Sequence, residues 1–172
     1  SLRLEPALRE MDIAGVFRID PDGQIHLATD QAYTLTGWLF TDETTLYVAI
    51  SRAEEADFER EANGEFCPNR RILAFDVAPN CTLGDSRVFI DMASGQPGVP
   101  DGMKVDTVGQ VFATGSQAVL GISPQGERLG IIRVPESPRN VAFGGPDMRT
   151  LFITAGDSLY SIRVKTPGIG AF

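Results

Sequence analysis

Pro100-Asp101-Gly102-Met103-Lys104-Val105-Asp106, set beside Asn140-Val141-Ala142-Phe143-Gly144-Gly145, decides how this chain folds. Each stretch opens a hydrophobic strand with a small polar side chain. Each is followed by a turn and a second strand with nearly the same ending, Val111-Phe112-Ala113-Thr114 and Leu151-Phe152-Ile153-Thr154. A third copy lies upstream, where Thr36-Gly37-Trp38-Leu39-Phe40 leads through a polar turn into Leu46-Tyr47-Val48-Ala49. The chain therefore carries an internal repeat, and a repeat of this size dictates architecture.

The remainder of the unit repeats too. Gly15-Val16-Phe17-Arg18-Ile19-Asp20-Pro21-Asp22-Gly23 matches Ala118-Val119-Leu120-Gly121-Ile122-Ser123-Pro124-Gln125-Gly126, and each runs on into a further strand. Proline, a polar residue and glycine form a turn, because Pro presets φ and Gly accepts positive φ. Each unit thus reads as four short antiparallel strands, and four strands per roughly 40 to 50 residues is the signature of a propeller blade. The expected organisation is all-β, a single partial β-propeller domain over 1–172. Within it, 15–29 ends one blade, 36–92 is a full blade with an insertion at 52–69, 101–134 is a second full blade, and 140–164 gives three strands of a further blade. Such rings have four to eight blades, so about three blades imply a partner: the missing N-terminal half of the ring or a second copy of the chain.

Composition narrows the classes. Lys plus Arg is 15 against 23 Asp plus Glu, a net charge of −8. An acidic surface does not suit nucleic acid, which demands clustered cations. No apolar run approaches the roughly 18 residues of a membrane span, and Ser1 to Glu10 lacks the pattern of a secretory signal. The chain has no initiator Met and reads as cut upstream, so the compartment is left open. Cys67 and Cys81 flank one strand, and at about 3.3 Å per residue they stand beyond the ~7 Å reach of a disulfide. Both are expected as buried or half-buried free thiols.

The runs GVPDGMKVDTVGQVFATG, SPQGERLGIIRVPE and NVAFGGPDMRTLFITAGDSLYSIRV closely resemble the C-terminal half of the gluconolactonase, regucalcin and luciferin-regenerating-enzyme family. The resemblance runs from Met11 to Val164. It implies a six-bladed propeller with one divalent metal on the central axis, and hydrolysis of sugar lactones or related cyclic esters in carbohydrate metabolism. In that family a Glu of the first blade, an Asn in Pro-Asn-Gly and the Asp of Pro-Asp-Gly-Met hold the metal. Asp101 falls on the last of these. Leu35-Thr36-Gly37 falls on the second and puts Thr36 where Asn is expected, while the Glu lies before Ser1.

The residues read alone reach a similar place. First strands of propeller blades line the channel, so Thr36 and Asp101 converge at one mouth of it. Counting back from Phe143 aligns Asn140 with Gly102, so a one-residue bulge is needed to bring Asn140 to the same level. Oxygen donors suit Ca²⁺ first, with Mg²⁺, Mn²⁺ or Zn²⁺ as alternatives. The expected metal set is Asp101, Thr36 and Asn140, with Asp101 also the catalytic base of a metal-dependent hydrolase. The alternative is a non-catalytic propeller that binds a metal or small molecule. His26, the single histidine, is expected as an exposed outer-strand residue. Asp42, Asp106 and Asp147 are expected to close turns, and Trp38 and Met103 to pack between blades. Ala53 to Ala62 favours a short helix ended by Asn63-Gly64, either a solvated excursion or a lid or subunit contact that uses Phe58 and Phe66.

Overall fold

The computed structural model describes residues 15–30, 34–40, 44–52, 54, 56–93 and 99–170, with backbone alone over 34–40. The described residues form four antiparallel sheets in which the strands pair in chain order. The first sheet holds β1 (Val16–Ile19) and β2 (Ile25–Thr29). The second holds β3 (Thr34–Phe40), β4 (Thr45–Arg52), β5 (Arg71–Val77) and β6 (Leu83–Asp91). The third holds β7 (Met103–Val105), β8 (Val111–Gly115), β9 (Ala118–Ile122) and β10 (Arg128–Arg133). In the fourth are β11 (Pro138–Gly144), β12 (Thr150–Ala155) and β13 (Ser158–Arg163). Strand β3 lies against β7, and β7 against β11, so the leading strands of successive sheets sit side by side.

Burial explains the apolar runs. Leu46 to Ser51 of β4 and all of β8 are buried on both faces, and so they lack the apolar–polar alternation of a half-exposed strand. One core joins the second sheet to the third through Tyr47, Ala49, Ile72, Met92, Met103 and Leu120. Another joins the third to the fourth, where Phe112 meets Phe143 edge-on with centroids 5.4 Å apart. The opposite face of the second sheet, with Leu46, Val48 and Phe75, receives Val16 of the first. Met103 packs between sheets as expected. Trp38 is described only in its backbone.

The insertion contains the helix α1 (Ala56–Ala62), shorter at its start than the propensities suggest. Asp57, fully buried, accepts from Arg60 Nη1 at 2.7 Å and from Asn69 Nδ2 at 3.3 Å. Arg52 at the end of β4 pairs with Glu61 and stacks 4.5 Å from the Phe58 ring centroid, so the excursion is clamped onto its sheet. Phe66 is exposed. Both cysteines are free, Cys67 buried and Cys81 exposed. The exposure of Cys81 corrects the expectation: it sits in the β5–β6 turn at φ 61°, with its N–H donating to Ala78 O, and the turn tip projects from the sheet with its side chain in solvent.

Asp106 and Asp147 close matched turns, as their spacing suggests, but in different surroundings. Asp106 is fully buried; its Oδ1 accepts from Val108 N at 3.0 Å and Gln110 N at 2.8 Å, and Oδ2 from the Thr166 hydroxyl. The segment beyond β13 returns here. Thr107 N donates to Pro167 O, Gly168 N to Met148 O, and Ile169 N to Val105 O. A side chain at Gly168 would enter the Phe143 ring, with a Cβ 1.9 Å from Cγ. Asp147 is exposed and held by Arg163 at 2.6 Å. Asp42 lies outside the described residues. Asp106→Ala leaves the Val108 and Gln110 amides and the Thr166 hydroxyl without their buried acceptor and is expected to cost about 2 to 4 kcal/mol in urea denaturation. Asp147→Ala in the same assay should move the midpoint much less, because exposed ion pairs contribute little.

Candidate active site

The starts of β7 and β11 are tied together by the backbone. Gly102 N donates to Arg139 O at 3.0 Å, and Thr114 N donates to Gly102 O at 3.0 Å. The buried Thr114 hydroxyl lies 3.3 Å from Gly102 O and 3.2 Å from Arg139 O, bracing both strands. Only glycine permits this approach: a Cβ at position 102 would stand 2.7 Å from the Asn140 Cα and 2.1 Å from its Oδ1. Asn140 is thereby packed against Gly102, the residue that follows Asp101. Asn140 Oδ1 also accepts from Val141 N at 2.8 Å. Thr36 lies in β3, whose register breaks between Leu35 and Gly37, and its side chain is outside the described set. Strand β11 has a bulge between Pro138 and Asn140, but it falls before Asn140, which stays opposite Thr154 and so keeps the level of Gly102 and not that of Asp101.

Asp101 is half-buried, and none of the described residues donates a hydrogen bond to its carboxylate. Loss of water raises its pKa above the ordinary carboxylate range, while the positive charge of Arg139 opposes the rise. A half-buried carboxylate without a donor among the described residues fits a hard cation such as Ca²⁺ by donor chemistry. Among the described residues no three His, Cys, Asp or Glu side chains cluster as a complete metal site. His26 is exposed on β2, 3.0 Å from Asp20, and stands on the outer strand of the first sheet. A cleft between the third and fourth sheets, lined by Phe112, Ile132, Ile162 and Lys165, contains no carboxylate or histidine and lies towards the Asp106 end. Sequence reasoning missed the Thr114 brace and the presence of Arg139; the shared Phe-Ala-Thr and Phe-Ile-Thr endings were the available signal for the first.

Residues 4–157 match the family model described as the SMP-30/gluconolactonase/LRE-like region. The chain belongs to this family. A gluconolactonase of Zymomonas mobilis is 32% identical over 169 residues, which cover 95% of this chain and 44% of that protein. A Xanthomonas campestris gluconolactonase of solved structure superposes with a TM-score of 0.70 at 28% identity, over 93% of this chain and 46% of that one. A regucalcin from Agrobacterium tumefaciens, described as calcium-binding, superposes with a TM-score of 0.69 at 18% identity, over 90% of this chain and 54% of that one, and speaks to fold alone. This chain therefore spans about half the length of the family members it matches. The four sheets are a portion of the family's propeller fold.

The desolvated carboxylate gives a signed expectation for the metal-free protein. Its folded pKa lies above the unfolded value, so ionisation is costlier in the folded state. Stability from this group is greatest when it is protonated and is lost as pH rises through the folded pKa. Asp101→Asn, assayed in chelator, is expected to raise the melting midpoint at neutral pH, with the difference vanishing towards about pH 4. A lower midpoint at neutral pH would contradict desolvation as the dominant influence.

Proposed function

We propose that the intact protein is a metal-dependent sugar-lactone hydrolase and that Asp101 is its central acid. The observation that carries this reading is the half-buried Asp101 carboxylate, without a hydrogen-bond donor among the described residues, at the braced start of β7 in a Pro-Asp-Gly-Met run of a gluconolactonase-family chain. Support for the substrate class comes from the Zymomonas and Xanthomonas proteins, both named as gluconolactonases. Oxygen donors of this kind make Ca²⁺ the first ion to test.

In this reading Asp101 holds the cation, with Asn140 and Thr36 contributing neutral oxygens and a further acid arriving from a preceding blade. A bound divalent cation polarises a lactone carbonyl and acidifies water. The chain's own part is to supply a base. One Asp101 carboxylate oxygen takes a proton from the attacking water as its oxygen adds to the carbonyl carbon. The ring C–O bond then breaks, and the departing alkoxide recovers the proton from Asp101, leaving a hydroxy acid. A carboxylate whose proton affinity is raised by lost hydration suits this exchange. The four sheets are read as blades of a six-bladed ring, with about three supplied by residues 15–164 and the rest by further chain or a second copy.

The test is metal content and lactone hydrolysis, followed by proton release, on wild type and Asp101→Ala. Asp101→Ala is expected to lose the metal and more than ~100-fold in rate, exceeding what loss of an outer-shell contact costs. Equal metal content in both proteins would remove Asp101 from the site.

Thr36→Asn replaces a hydroxyl by an amide carbonyl at the family's ligand position. It is expected to tighten Ca²⁺ binding about tenfold, or ~1.4 kcal/mol, by calorimetric titration.

A further inference from the structure

The ladders of β3 and β11 break in the same manner. In β3, Leu35 pairs with Ile50 and Gly37 with Ala49, which leaves Thr36 as the extra residue. In β11, Pro138 pairs with Ala155 and Asn140 with Thr154, which leaves Arg139. Ala49, Thr114 and Thr154 hold equivalent places in the second strands of their sheets, and Gly102 stands opposite Thr114. Asp101 is therefore at the level of Thr36 and Arg139, while Asn140 matches Gly102. The position that carries a proposed metal ligand in the second and third sheets carries a guanidinium in the fourth. Bulges re-aim side chains beside active sites.

Arg139 is fixed in its backbone and free in its side chain. Its carbonyl accepts from Gly102 N and from the Thr114 hydroxyl. Its side chain is exposed, with no ion-pair partner among the described residues, whereas Arg18, Arg52, Arg60, Arg87 and Arg163 each hold a carboxylate. The charge reaches the Asp101 carboxylate electrostatically without pairing with it. A guanidinium so close to a cation site repels the cation, and that arrangement is useful when an anion is to enter between them. The chain's net charge of −8 works against anionic ligands at long range, so a local cation is needed to receive one.

We propose that Arg139 is a specificity-determining residue that selects a lactone bearing an oxyanion substituent, such as a carboxylate on the sugar chain, over its neutral counterpart. The planar fork of the guanidinium matches a carboxylate with two parallel N–H···O bonds. This proposal rests on the lactonase reading for the word lactone, and on the register of β3, β7 and β11 for the residue.

The probes are glucono-1,4-lactone and glucaro-1,4-lactone, which differ in a terminal hydroxymethyl against a carboxylate, with wild type, Arg139→Met and Arg139→Lys of the full chain loaded with Ca²⁺. Arg139→Met is expected to lower kcat/KM for the carboxylate-bearing lactone about 10- to 100-fold more than for the neutral one, mainly through KM, as for loss of a charged hydrogen bond. Arg139→Lys should restore part of that ratio. An unchanged ratio in Arg139→Met overturns the proposal and leaves the lactonase reading standing. If the wild type hydrolyses neither lactone, the lactonase reading fails, and calorimetric binding of glucarate decides this one: weaker binding by Arg139→Met supports an oxyanion site, and equal or absent binding in both proteins overturns it.

Discussion

Apolar contact between the faces of successive sheets is the constraint on which everything else here depends. A two- to four-stranded antiparallel meander has two faces and cannot bury both by itself. The second sheet covers one face with the first and the other with the third, and the third then meets the fourth. Burial on both sides requires side chains such as Leu46, Val48, Val111 and Val119, and it holds the leading strands β3, β7 and β11 next to one another. The site is a consequence. Asp101 is half-buried because β7 is pressed between neighbours, and its raised proton affinity follows from that loss of water.

The repeat was legible because each unit spends the same residues on the same tasks. Phe112 and Phe152 and likewise Thr114 and Thr154 recur at one spacing, Asp106 and Asp147 at a spacing one residue longer, and Pro-x-Gly marks the hairpins. Asp101 was legible for a different reason, through a short motif rather than any periodicity. The α1 helix showed in the alanine and glutamate run, and it is described over Ala56–Ala62. Level along a strand was harder to read. A bulge changes which residue stands beside its neighbour without changing composition, and only the pairing of Asn140 with Thr154 places Arg139 beside Asp101. The same holds for Cys81, whose exposure depends on what covers a turn and not on the flanking sequence.

The insertion illustrates how local charge substitutes for apolar area. The segment between β4 and β5 has few apolar residues to bury, so it is fastened by Arg52 to Glu61, by Arg60 to Asp57 and Glu54, and by stacking of Arg52 on Phe58. Arg70, buried at the foot of β5, stands 3.7 Å from Glu61 and keeps an Nε without a hydrogen-bond partner. Ion pairs of this kind fix orientation more than they add stability, which suits a segment attached to a sheet already held by its core.

The returning segment at 166–169 has a kinetic meaning. Sheet pairings in this chain are between neighbours in sequence and close short loops, whereas Thr107 with Pro167 and Val105 with Ile169 join points some sixty residues apart. Loop closure makes such contacts late events in folding. Interactions absent from the folding transition state govern how fast the native state is lost rather than how fast it is gained. The turn of the third sheet is thus closed by long-range contacts at the end of the strands away from Asp101, and weakening them is expected to speed unfolding more than it slows folding.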